Sequence, residues 1–94
     1  MYRCIISVVC TDRHGVHAVF QRTIDLPFVP ATSGPELGFC AADHHWSAEI
    51  ASVVWEAKTG VYHVELSDWD SSRADLQEMV ADLGPQWHRI DRAA

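Results

Sequence analysis

The fold of this chain turns on YRCIISVVCTDRHGVHAVFQRTIDL, residues 2–26. Ile, Val and Cys crowd residues 2–10, the composition of a strand. TDRHGV follows, and Gly15 supplies the positive φ that a three-residue hairpin loop with a bulge requires. From Val16 onward the pattern alternates. Val16, Ala18, Phe20, Ile24 and Leu26 share one face, and His17, Gln21, Thr23 and Asp25 share the other. Taking Arg13-His14-Gly15 as the loop sets Val8 opposite Phe20 and Cys10 opposite Ala18. The apolar face is then continuous across both strands, and a slip of one residue would turn it to water. Residues 2–10 and 16–26 therefore read as an antiparallel hairpin.

The second half follows the same plan. Displaced by 45 residues, ISVV at 6–9 falls on ASVV at 51–54, Arg13 on Lys58, and Gly15-Val16 on Gly60-Val61. Shared hairpin chemistry accounts for this match better than a duplication, because a repeat is convincing only with more than two copies. Strands are expected at about 48–57 and 61–67. Between the hairpins, PFVPATSGPELGFCAADHHW begins with a connection broken by Pro27, Pro30, Gly34 and Pro35. A long structureless loop is unusual in a small domain, so ELGFC reads as a short middle strand at about 36–41.

A helix is expected over about 71–83. Leu76, Met79, Val80 and Leu83 form one apolar stripe, Ser72 and Asp75 have capping-box spacing, and Gly84-Pro85 is a stop signal. The tail QWHRI either adds a short edge strand or lies across the helix. Residues 1–94 thus form a single α+β domain. It has a small antiparallel sheet or partly closed barrel of four to five strands, made of two hairpins and a middle strand, with one C-terminal helix.

Composition narrows the function classes. Thirteen acidic residues stand against seven basic ones, a formal charge of −6, and Lys58 is the single lysine. Nucleic-acid binding is disfavoured, because affinity for phosphate comes from clustered Lys and Arg. The cysteines, Cys4, Cys10 and Cys40, are odd in number and lack a CxxC pair, a pattern of reduced thiols in the cytoplasm. No segment approaches the eighteen or so apolar residues of a membrane span, and residues 2–10 lack a signal-peptide cleavage site. A soluble, cytoplasmic protein without a cofactor is the expectation.

Three groups of residues carry candidate chemistry. CAADHHW, residues 40–46, holds Cys40, Asp43, His44 and His45, all metal-ligand types. Adjacent residues of a strand point to opposite sides, so His44 and His45 cannot share one ion in an extended segment. With no HExxH or paired CxxC nearby, a polar loop is the better reading than a metal site. His63 and Glu65 lie two apart on one strand face and can pair as acid and base, although ordinary exposed residues on a wet face are the better reading. Arg22 interrupts an apolar strand face, either snorkelling outward or binding an anion.

The remaining candidates are surfaces. From Glu65 to Asp82 there are six acids, among them Asp68, Glu78 and Asp82, against the single base Arg73. Such a face can dock on a basic protein surface. Trp46, Trp55, Trp69 and Trp87 are many tryptophans for this length, and any left exposed would mark a binding surface. Trp46 and Trp87 are the expected exposed ones. No motif assigns a family. The sequence points to a small binding domain acting by self-association or through a protein partner, with Trp46, Trp69, Glu78, Asp82 and Arg22 as binding residues. A small enzyme using His63, Glu65 or the 40–46 segment is the alternative.

Overall fold

The computed structural model describes residues 1–41 and 44–91, with the backbone alone at 41 and 44. The first hairpin has the register its alternation dictates. β1 (Tyr2–Thr11) pairs antiparallel with β2 (His17–Leu26), placing Val8 against Phe20 and Cys10 against Ala18. Asp12 N–H donates to Val16 O at 3.0 Å, and Gly15 closes the loop at φ 76°. Cys4, Ile6, Val8 and Cys10 lie on the buried face of β1.

After β2 the chain crosses the buried face before rejoining the sheet. β3 (Leu37–Ala41) and β4 (His44–Ala48) form a separate two-stranded antiparallel sheet. Its Leu37 and Phe39 enter the same core as Cys4, Ile6 and Phe20. The long interhairpin connection is therefore the lid of the core. β5 (Ile50–Glu56) and β6 (Val61–Leu66) follow as an antiparallel hairpin around a turn closed by Gly60. The strand expected at 48–57 is β5, whereas β4 occupies part of the stretch read as a polar loop and meets the expected strand only at Ala48; Glu49 parts the two. Glu49 O accepts Ser67 N–H at 2.9 Å, and this bond marks the change of sheet.

The expectation of an antiparallel sheet or partly closed barrel is corrected in two ways. First, β6 runs parallel to β1, pairing Cys4 with Tyr62 and Ile6 with Val64. β7 (Trp69–Asp70) continues along that same edge, also parallel. A crossover over one face returns the chain in the parallel sense, so the sheet is mixed. Second, the strand order β5-β6-β1-β2-β8 leaves β5 and β8 as separate edges, and the sheet stays open. β8 (His88–Arg89) is the short edge strand foreseen for the tail.

α1 (Leu76–Leu83) starts later than its apparent capping box suggested. Asp75, not Ser72, is the N-cap, accepting Glu78 N–H at 2.9 Å. Residues 71–74 are held by the first hairpin instead. Ser71 N–H donates to Thr11 O, Arg13 N–H donates to Ala74 O, and Ser71 Oγ accepts Ala74 N–H at 3.0 Å. Met79 and Leu83 are buried with the sheet and the β3–β4 hairpin. One sheet face is therefore covered. The other, bearing Ser7, Val9, Val19, Val54, His63 and Glu65, carries no layer among the described residues.

Asp12 is the joint of this architecture. It is 7% exposed, and one carboxylate oxygen accepts N–H groups of His14 (2.8 Å) and Val16 (2.9 Å). The other accepts Leu76 N–H at 3.1 Å, at the first turn of α1. Burial pushes its pKa up. The three backbone donors outweigh burial, so the carboxyl sits below its ordinary value.

Candidate functional site

The aromatic residues converge under the β3–β4 hairpin. Phe39 stacks on its cross-strand neighbour Trp46 with ring centroids 4.6 Å apart. Trp87 meets Phe39 edge-on at 5.3 Å and Trp46 at 5.5 Å. Trp69, placed by β7 beside Cys10, lies 6.3 Å from Trp46 with the two ring planes 18° apart. Arg22 projects from the covered face of β2, and its guanidinium carbon sits 5.7 Å from the Phe39 ring centre. The cluster thus already holds one cation against an aromatic face.

A groove of about 420 Å³ opens between Trp46 and Trp69. Its rim carries Glu36, Glu49, Asp68 and His45, with Val8 contributing to its wall. Glu36 is braced by Ser47, whose hydroxyl donates to its carboxylate at 3.2 Å. Trp46 is half-buried, and its indole N–H is enclosed without an acceptor among the described residues. Three carboxylates around two indoles favour a positively charged guest. Coulomb attraction and the ring quadrupoles act in the same sense there.

Of the expected binding residues, Trp46 and Trp69 come together in this groove. Glu78 and Asp82 lie on α1, outside its lining. Arg22 is taken up by Phe39. Trp87 is only 7% exposed, contrary to its expected place at the surface. Gly84 ends the helix at φ 102°, and the chain turns so that the Trp87 indole packs into the aromatic cluster. Trp55 is the exposed tryptophan, at 56%, on β5. Sequence reasoning missed Glu36, Glu49 and Ser67 as groove residues. Nothing in local spacing signals them, because the groove is assembled from four separate segments, at Val8, Glu36, 45–49 and 67–69.

The other candidates distribute differently. Cys40 and His45 are cross-strand partners, with Sγ and Nδ1 2.8 Å apart. Asp43 and the His44 side chain lie outside the described residues. Among the described residues, no cluster of three or more His, Cys, Asp or Glu side chains is arranged to hold a metal ion. Cys4 and Cys10 are buried within the core, and burial pushes the Cys10 thiol up to about 12.

His63 bonds a different carboxylate from the one two residues along its own strand. Its Nε2 lies 2.8 Å from Glu56 Oε2 across the hairpin. The bond to His63, joined by one from Thr59, holds the Glu56 carboxyl below its ordinary range. Glu65 stands on the same face, opposite Ser52. Trp55 pairs with Tyr62 on the other face, so it does not wall a cleft around His63.

Comparison with protein-family models, with curated proteins and with solved structures gives no significant match. No helix among the described residues is long and apolar enough to cross a membrane.

Proposed function

We propose that this protein is a small binding domain that captures a basic side chain of a protein partner in the Trp46–Trp69 groove. The observation that carries the reading is the convergence of two near-parallel indoles with Glu36, Glu49 and Asp68 around one opening. Arginine suits this site better than lysine, because its planar guanidinium stacks on an indole while donating to a carboxylate. Arg22 on Phe39 is an internal example of the same contact. The chain's negative charge aids encounter with a basic partner.

The test is titration of a short arginine-containing peptide, followed by tryptophan fluorescence and calorimetry. Saturable binding that weakens with salt is expected, together with a loss of about tenfold or more in Trp69→Ala, as for an aromatic anchor. Asp68→Asn and Glu49→Gln should weaken binding and reduce its salt dependence. Equal affinity for an alanine-substituted peptide would remove the reading. The acid–base alternative has less behind it: the Glu56–His63 pair lies on the open sheet face and does not line the groove.

A further inference from the structure

The two edges of the sheet are finished differently. At one edge, β8 has only two residues, and the chain then continues along β2. Ile90 N–H donates to Val19 O, and the Asp91 carboxylate accepts Val19 N–H at 2.7 Å. A very short, charged strand capped by a side chain is a blunted edge. At the other edge, β5 has seven residues and pairs with β6 alone among the described residues. Ile50–Trp55 contains no charge and no proline. A bulge at Ala51 leaves Ser52–Glu56 as a regular ladder with no second strand on its outer side among the described residues.

We propose that β5 is a dimerisation edge, pairing antiparallel with β5 of a second copy about a two-fold axis at Val54. A two-fold normal to the sheet keeps each face on its own side, so a residue must oppose its own copy at the centre. Val54 is the midpoint of the regular ladder and is 62% exposed. Centred there, Trp55 stands across from Val53 of the second copy, an aromatic–β-branched cross-strand pair. Ser52 stands across from Glu56 of the second copy, so no like charges oppose one another. Lys58, the single lysine, comes beside the Glu49 end of the second copy at both ends of the strand pair. This charge complementarity favours a second copy over an arbitrary strand. The strand edge adjoins the groove only at Glu49, and the strand pairing itself uses none of the other groove residues.

An interface limited to one edge falls below the roughly 1,200 Å² of a standard stable complex, so the dimer is expected to form at high micromolar concentration. Sedimentation equilibrium from about 10 μM to 1 mM spans the relevant range. Wild type is expected to pass from monomer to dimer. Val54→Lys and Val54→Glu are each expected to stay monomeric with unchanged far-ultraviolet dichroism, because like charges then meet on the axis. A one-to-one mixture of the two variants is expected to recover the dimer. In wild type, amide exchange within 52–56 is expected to slow as concentration rises. A wild type that remains monomeric, variants that dimerise like wild type, or a mixture no better than its components would each overturn the proposal. Loss of peptide binding in the groove with dimerisation intact would remove the proposed function and leave this inference standing.

Discussion

The two hairpins share letters but not circumstances. ISVV in β1 and ASVV in β5 occupy matching positions, yet Val8 is buried while its counterpart Val53 is only half-buried. β1 has β2 on one side and β6 and β7 on the other, whereas β5 pairs with β6 alone among the described residues. The turns diverge as sharply. Arg13 matches Lys58 and Gly15 matches Gly60, but Asp12 matches Ala57. The carboxylate at Asp12 joins a turn to a helix; the methyl at Ala57 has no oxygen with which to accept such bonds. Strand propensity made two similar hairpins, and neighbours decided which became the centre.

The contrast can be broken most forcefully in the strands. Ile6→Ala removes a fully buried side chain and should cost about 3 kcal/mol in urea unfolding. Val54→Ala should change stability by no more than about 0.5 kcal/mol. Similar costs at the two sites would mean that the open face at Val54 is covered. Next comes Asp12→Ala, which orphans three N–H groups and should lower the Tm by several degrees.

The pH dependence of Asp12 has a definite sign. Its folded carboxyl lies below the unfolded value of about 3.9, so its contribution is complete above that value. The contribution is lost as pH falls through the folded value. Acid melts of wild type should therefore converge on those of Asp12→Ala, and melts that stay parallel to low pH would contradict this role.

Smaller effects sharpen the turn comparison. Gly15 and Gly60 have φ of 76° and 69°, and a Cβ at either would meet nothing within 4 Å. The cost of alanine is then backbone strain alone, about 1 kcal/mol in each case. A much larger loss at one turn would reveal a contact beyond strain. Smallest of all, Ala57→Asp copies the Asp12 letter without its surroundings and should leave the Tm within about 1 °C.

The legible parts of this fold are those decided over a few residues. Alternation and Gly15 give the first hairpin its register, and ELGFC is visible as a strand between breakers. Parallel pairing of β1 with β6 leaves no mark in either strand's pattern, since Cys4 and Val64 look the same beside any neighbour. The start of α1 was obscured because Ser71, Ser72 and Asp75 are all good caps. Long-range bonds from Thr11 and Asp12 select among them. Trp46 and Trp69 were legible as binding candidates one at a time. Their proximity depends on the crossover of β3 and β4, as does the burial of Trp87.

That crossover also sets an order of events during folding. β1 can zip to β2 within the first 26 residues, but its other edge must wait for β6, which begins at Val61. Closing a contact over such a separation carries a loop-entropy cost that local hairpins avoid, and high contact order slows folding. A strand rich in Ile, Val and Cys thus stands half-paired while some thirty-five intervening residues are placed. The most buried strand of the finished molecule is the one left longest at risk of pairing with the wrong chain.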